Sequence, residues 1–322
     1  MLVNSPSAVN LVAIVILSRG KCGLSTCTTR YLVAMAAADL LVIVTEVILY
    51  QINYHYFPVC FLNVTSVCIV LRVLSRIVIN CSVWFTVTFT FDRFVAICCQ
   101  KLKIRYCTAK TATVVVVTTA ALFCLKNGPL YFSYGPRMVI NNVPWFCYPK
   151  PSYFTDPGWV AFDWMDIVLT PFLPFAVIML LNALTVRHIL MANRVRKGLR
   201  GQGKAENRSD PEMESRRRSM VLLFSISGSF VLLWLTNVGE FIYYQVTGVG
   251  TGGNDSEIVF AYVGYLLRNF SCCTNTFIYA VTQSKFREQV VRAVHYPVTS
   301  VLRSTGSIVL WAKRKTCVES GL

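Results

Sequence analysis

The sequence predicts an all-α membrane protein, a bundle of seven transmembrane helices followed by a short amphipathic eighth helix. Three observations carry that expectation. The first is composition. Across 322 residues the chain is 55% hydrophobic and only 14% charged, with a mean hydropathy of +0.54, whereas soluble domains carry roughly a quarter charged residues. The second is the placement of charge. The net charge is +16, yet the stretches read as outer loops hold only Arg137 and Lys150, while 187–218 carries a dense run that includes Arg187, Arg194, Lys197, Arg200, Arg216, Arg217 and Arg218. Such asymmetry orients a multi-pass chain over an anionic inner leaflet of the lipid bilayer and does not point to nucleic acid. The third is the stretch from Cys68 to Arg105, which holds a long apolar helix with a cysteine at its start and Asp92-Arg93-Phe94 near its end. At about 1.5 Å per residue, Cys68 and Arg93 stand ~37 Å apart, slightly more than the ~30 Å hydrocarbon core. The basic residues Lys101, Lys103, Arg105 and Lys110 then put the Arg93 end in the cytoplasm and Cys68 outside, where disulfides form.

Taken in order, the first helix is the anomaly. Its apolar part, Ala8 to Leu17, ends at Arg19, and only MLVNSPS precedes it, with no cleavable signal pattern. About 17 residues is the bottom of the range for a spanning helix, so the chain reads as beginning inside its first helix. The second span runs from Thr29 to Gln51. It carries Asp39 at mid-depth, a carboxylate that is costly in hydrocarbon and therefore a functional candidate, and the small residues Ala36-Ala37-Ala38, which let a neighbour approach closely. After the third helix, Thr108 to Leu130 gives a fourth span, ended by Gly128-Pro129. The segment 131–158 is too polar and proline-rich to cross. Trp159 to Leu190 is a fifth span with Pro171 and Pro174, followed by a basic, flexible loop. Arg216 to Thr247 and Glu257 to Thr282 are the sixth and seventh spans. Ser284 to Val294 is amphipathic and suits a helix lying on the inner leaflet. The seven-helix region is thus 1–294 and the tail 295–322, with the N-terminus outside and the C-terminus in the cytoplasm.

Other classes fit less well. His55, His188 and His295 are scattered, most of the 13 cysteines lie in apolar helices, and no zinc-ligand spacing or nucleophile motif occurs, so neither an enzyme nor a metal site is expected. A transporter or channel would also place charges in the membrane, but no internal repeat supports it. Asn63-Val64-Thr65 and Asn254-Asp255-Ser256 are glycosylation sequons in outer loops.

An Asp-Arg-aromatic triplet closing a spanning helix, with a cysteine at the other end, resembles the third helix of rhodopsin-like (class A) G-protein coupled receptors. The likeness extends over nearly the whole chain. It implies a disulfide between Cys68 and Cys147 in PWFCYP, with Cys60 as a rival partner for Cys147. It implies a sodium site at Asp39, Ser82 and Asn275, with no other cofactor. Asp92 and Arg93 become the coupling pair, and Arg93 is expected at the centre of a cytoplasmic cavity formed by the third, fifth, sixth and seventh helices. Phe230 and Trp234 match the sixth-helix aromatic pair that repacks on activation, Asn275 and Tyr279 in NTFIY the seventh-helix motif, and Phe286 the aromatic of the eighth helix. The partners implied are a heterotrimeric G protein, arrestin and an extracellular ligand, at the plasma membrane.

The departures from that pattern are specific. Thr236 and Thr276 replace expected prolines, so the usual sixth-helix kink lacks its backbone cause. Asn182 stands where a tyrosine is usual, and Arg216 where an acidic partner for Arg93 often sits. LVAMAAADLL, DRFVAICCQ and the proline-free NTFIY resemble the orphan group of G-protein coupled receptor 139, which implies an amino-acid-like or short peptide ligand. The charges of the outer half agree with such a ligand. Arg72 and Arg76 share one face of the third helix, Arg268 lies about 17 Å above Tyr279, and Glu46, Asp163, Asp166 and Glu240 occupy the outer halves of their helices. Arg72, Ser75, Arg76, Glu46, Asp166, Trp234 and Arg268 are therefore the candidate ligand-binding residues, with pairing among themselves as the competing explanation. No aspartate stands at Ser75, which argues against a monoamine.

Overall fold

Apolar side chains that face outward along whole helices set the architecture. In the fourth helix, Ala109–Asn127, only Ala112, Phe123 and Asn127 are buried, while Val114, Val117, Leu122 and Leu125 are 56–75% exposed. An apolar face of that length is stable against lipid, not water. The computed structural model describes residues 6–20, 22–57, 60–200, 211–247 and 255–292. Five of its helices are long and apolar enough to cross a membrane: Thr26–Ile52, Thr65–Cys98, Ala109–Ser133, Pro157–Ala192 and Arg217–Gly239. Pro6–Ser18 and Asp255–Thr282 complete the seven. The seventh is less apolar because it brings Arg268, Asn269, Ser271 and Asn275 into the bundle. The tail 295–322, Asn254 and the side chains of Arg216 and Glu240 lie outside the described residues.

The third helix is the axis of the bundle, packed against the second, fourth, fifth and sixth, while the first lies on the second and seventh. It begins one turn before Cys68 and leaves helical geometry at Cys99 (φ −121°, ψ 71°), after which Gln100–Tyr106 forms a short separate helix. At the Arg93 end a core joins Leu17, Tyr31, Met35, Phe89, Leu222, Tyr279 and Phe286 across six elements. Nearer the middle, Val83, Val87, Ile178, Phe230 and Trp234 knit the third, fifth and sixth helices together. The eighth helix spans 284–292, anchored by Phe286, which is fully buried edge-on to Tyr279 at 5.8 Å.

Backbone irregularities follow the sequence. The second helix loosens into π winding over Ile43–Ile52. The fifth, expected as one span from Trp159 to Leu190, crosses as Pro157–Ala192 with a local break at Thr170 (φ −155°, ψ 100°), because Pro171 has no N–H and forces its predecessor out of the helical region. Trp84 donates its indole N–H to the Leu169 carbonyl beside that break at 3.0 Å. The sixth helix, lacking a proline at Thr236, is one helix of 37 residues, Pro211–Thr247.

The segment 131–158 folds over the Cys68 end as a hairpin, which sequence reasoning did not anticipate. Met138–Ile140 pairs with Val143–Trp145, and Tyr134–Gly135 with Tyr148–Pro149. Asn141 and Asn142 make the turn with φ of 51° and 61°, a conformation asparagine tolerates and two-residue hairpins require. Three ties hold the hairpin down. Cys68 and Cys147 form the expected disulfide with Cα atoms 5.8 Å apart, leaving Cys60 free. The Phe146 N–H donates to the Asn63 carbonyl at 2.6 Å, and Thr65 Oγ1 donates to the Phe146 carbonyl at 2.8 Å. Asn63, expected to carry a glycan, is 6% exposed. Its amide donates to the Phe57 carbonyl at 3.1 Å and accepts from Asn53 at 2.9 Å, so the side chain is turned inward.

Replacing Cys68 and Cys147 together by serine is expected to lower stability by ~2–4 kcal/mol, read as a lower melting midpoint of the purified protein in detergent. An unchanged midpoint would mean that the backbone bonds to Asn63 and Thr65 suffice.

Candidate functional site

The polar residues of the interior form layers between the Cys68 end and the Arg93 end, and the third helix contributes to each. Nearest the Cys68 end, Ser75 donates to Glu46 of the second helix. The same carboxylate meets Arg268 of the seventh helix at 3.6 Å, and Tyr265 donates to the Glu46 carbonyl at 3.4 Å. On the other side of the third helix, Arg76 Nη1 bonds Asp166 of the fifth helix at 2.9 Å, with Arg76 47% and Asp166 7% exposed at the side chain. Lys126 of the fourth helix pairs with the same carboxylate, and Asn80 donates to it at 3.3 Å. Arg72 stacks over Tyr50, its guanidinium carbon 3.4 Å from the ring centroid. Asp163 accepts from Tyr153 at 2.8 Å, and burial followed by that bond pushes the Tyr153 hydroxyl above its ordinary pKa.

In the middle layer Asp39 is 1% exposed. Ser82 donates to one of its oxygens at 2.5 Å and Asn275 to the other at 2.8 Å. These residues line a cavity of ≈ 10 Å³ with Thr86, Ser229, Phe230, Trp234, Ser271 and Thr274, room for about one water. One carboxylate among hydroxyl oxygens is a donor set of the kind hard cations take. Trp234 sits on the roof, donating to Ser271 at 3.1 Å and lying 5.4 Å from Phe230.

At the other end Asp92 is fully buried and Arg93 is 8% exposed. Arg93 Nε donates to Asp92 at 3.0 Å, and Arg93 Nη1 reaches Ser219 of the sixth helix at 3.3 Å. Cys27 donates to Asp92 at 3.1 Å. Burial, then Asp92, push the nearby Cys107 thiol up to about 12, so it stays protonated at neutral pH. Arg93 lines a cavity of ≈ 600 Å³ with Cys22–Ser25, Lys103, Cys107, Arg218, Ser219, Leu222, Gln283 and Lys285. This differs from the cavity expected among the third, fifth, sixth and seventh helices. The Arg93–Ser219 contact holds the sixth helix against the third, so the opening faces the loop between the first and second helices and the start of the eighth.

Three polar residues fill places that sequence reading left as departures or missed. Thr276 donates to Asn10 at 3.0 Å, and Asn10 donates to the Cys272 carbonyl at 2.9 Å, tying the first helix to the seventh. Asn182 donates to Ser227 at 2.7 Å, tying the fifth to the sixth. Lys126 was overlooked, although a lone cation in the otherwise apolar LFCLKNGP is the signal that would have found it. Tyr279 is fully buried against Phe286 rather than lining the large cavity.

The family model described as "7 transmembrane receptor (rhodopsin family)" matches residues 9–279. The chain belongs to the rhodopsin family of seven-transmembrane receptors. It is a multi-pass protein of the plasma membrane, in a family of receptors and not of enzymes. This rhodopsin-family receptor is 26% identical over 235 residues to the "Tachykinin-like peptides receptor 86C" of Drosophila melanogaster, covering 70% of this chain and 44% of that protein. The chain therefore spans less than half the length of that relative.

Asp166 is the carboxylate with most at stake, because its loss strands two cations. Asp166→Asn is expected to destabilise the receptor toward the lower end of the ~3–5 kcal/mol cost of breaking a buried ion pair, since Arg76 reaches solvent. Asp156→Asn, at an exposed helix cap, should shift the melting midpoint much less, and equal shifts would contradict the ranking.

Proposed function

We propose that this receptor binds an extracellular amino-acid-like or short peptide ligand carrying a carboxylate and activates a heterotrimeric G protein through the cavity at Arg93. The observation that carries the coupling half is the Asp92–Arg93 pair beside a ≈ 600 Å³ cavity with a basic lining, Lys103, Arg218 and Lys285. With the Arg93 end in the cytoplasm, as the basic loops argue, a partner enters there once the Arg93–Ser219 contact releases. Arrestin uses the same face. The resemblance to the orphan group of G-protein coupled receptor 139, and the peptide receptor named among the relatives, both support a peptide or amino-acid ligand. Four cations on the helices of the Cys68 half, Arg72, Arg76, Lys126 and Arg268, support an anionic group on it. A sodium ion fits the Asp39 layer, where Asp39, Ser82 and neighbouring hydroxyls would hold it and damp movement of Trp234.

Arg93→Ala is expected to abolish G-protein activation while leaving agonist affinity within about threefold, a change of under 1 kcal/mol. Unchanged signalling would refute the coupling role. Because Ser219 is a neutral partner, the contact with Arg93 is weak, and basal signalling is expected without agonist. Ser219→Ala should raise it further, and a silent Ser219→Ala receptor counts against this. An agonist should lose potency about tenfold or more when its carboxylate becomes a carboxamide, as loss of a charged hydrogen bond implies.

A further inference from the structure

We propose that Arg72 is the residue that takes the ligand's carboxylate, with the ring of Tyr50 as the shelf that holds its guanidinium in place. This assignment rests on the carboxylate reading given above and deepens it to one side chain.

The argument is an accounting of charge. Among the described residues, two buried carboxylates meet three of the four cations that the helices carry in the Cys68 half. Asp166 takes Arg76 and Lys126, and Glu46 takes Arg268. Arg72 has no ion pair among the described residues. Its guanidinium lies 3.4 Å over Tyr50, and its Nε is buried without a hydrogen-bond partner. The Nε of Arg268 is also unpartnered, but its charge is answered by Glu46. Arg72 is half-buried one turn from Cys68, and an arginine at membrane depth is rare unless it faces a partner, a ligand or water.

The geometry suits an incoming carboxylate. Stacking on Tyr50 engages one face of the guanidinium, and a carboxylate that displaced water there would meet the in-plane donors as a two-pronged bond. Along the seam of the second and third helices, Arg72 stands over Tyr50 and Ser75 bonds Glu46, two contacts about one helical turn, ~5 Å, apart. Glu46 repels a second carboxylate and so fixes the depth at which the anionic group stops. Tyr265, 5.1 Å from the Arg268 guanidinium, offers an aromatic surface for the apolar part. Arg76 and Arg268, by contrast, are committed to holding the bundle together.

The test uses the full chain in lipid nanodiscs and two probes that differ only in the anionic group, N-acetyl-L-phenylalanine and N-acetyl-L-phenylalaninamide. The melting midpoint is followed against probe concentration for the wild type, Arg72→Gln, Arg72→Lys, Arg76→Gln and Arg268→Gln. The acid, not the amide, is expected to stabilise the wild type. Arg72→Gln should weaken that response about tenfold or more, and Arg72→Lys should fall between, keeping charge but losing the fork. Without probe, Arg72→Gln should melt close to the wild type, while Arg76→Gln and Arg268→Gln melt lower because each takes a cation away from a buried carboxylate, Asp166 and Glu46 respectively. If the acid response persists in Arg72→Gln and disappears in Arg76→Gln or Arg268→Gln, the assignment falls and the carboxylate reading stands. If acid and amide act alike on the wild type, or neither acts, both fall. A probe-free midpoint as low in Arg72→Gln as in Arg268→Gln makes Arg72 structural and overturns the assignment.

Discussion

A carboxylate buried in a membrane bundle is stable only against a partner, and this constraint organises the structure. Asp39, Glu46, Asp92 and Asp166 are each under 8% exposed, and a residue of the third helix meets every one. Ser75 bonds Glu46, Arg76 and Asn80 bond Asp166, Ser82 bonds Asp39, and Arg93 bonds Asp92. From these layers the ties run outward to the second, fourth, fifth and seventh helices. Between helices surrounded by lipid there is little hydrophobic drive to associate, so van der Waals packing and polar contacts must fix their relative positions. The third helix is central because it carries a polar partner at each depth.

The same logic explains how the bundle manages without residues that the family usually has. Thr276 lacks the backbone effect of a proline, but its hydroxyl gives the seventh helix a side-chain tie to Asn10. Asn182 reaches Ser227 across the fifth and sixth helices. Ser219 gives Arg93 a neutral tether. Each replacement exchanges a backbone feature, a larger side chain or a charge for one hydrogen bond between neighbouring helices. Single hydrogen bonds of this kind between membrane helices contribute ~0.6–2 kcal/mol. Pro171, by contrast, does break the fifth helix, and Trp84 answers the Leu169 carbonyl beside the break.

The two ends of the molecule differ in how their charge is held. At the Cys68 end, cations and carboxylates are paired across three helix seams, and the hairpin is fastened above them by the disulfide. At the Arg93 end, basic residues line an open cavity and Asp92 is taken by its neighbour Arg93 and by Cys27. Among the described residues, the disulfide ties the one end, and side-chain packing and hydrogen bonds hold the other.

The Cys68–Cys147 pairing and the partners of Asp39 were implied by the family resemblance; the sequence by itself determined the membrane class, the helix count and the polar positions Asp39 and Asp92–Arg93. These depend on features that lie along the chain: apolar runs of bilayer length, charge asymmetry, and polar residues where hydrocarbon should be. It also listed Arg72, Arg76, Arg268, Glu46 and Asp166 as one charged set without distinguishing their roles. Only the tertiary structure decided that Asp166 takes Arg76 and Lys126, that Glu46 takes Arg268, and that Arg72 lies on Tyr50. Partner choice depends on helix rotation and on which seams face each other, and residues far apart in the chain set both. The hairpin was legible locally, in Asn141-Asn142 between β-branched and aromatic residues, and was missed. The burial of Asn63 and the direction in which the Arg93 cavity opens were not legible, because each is fixed by contacts between segments that no local pattern connects.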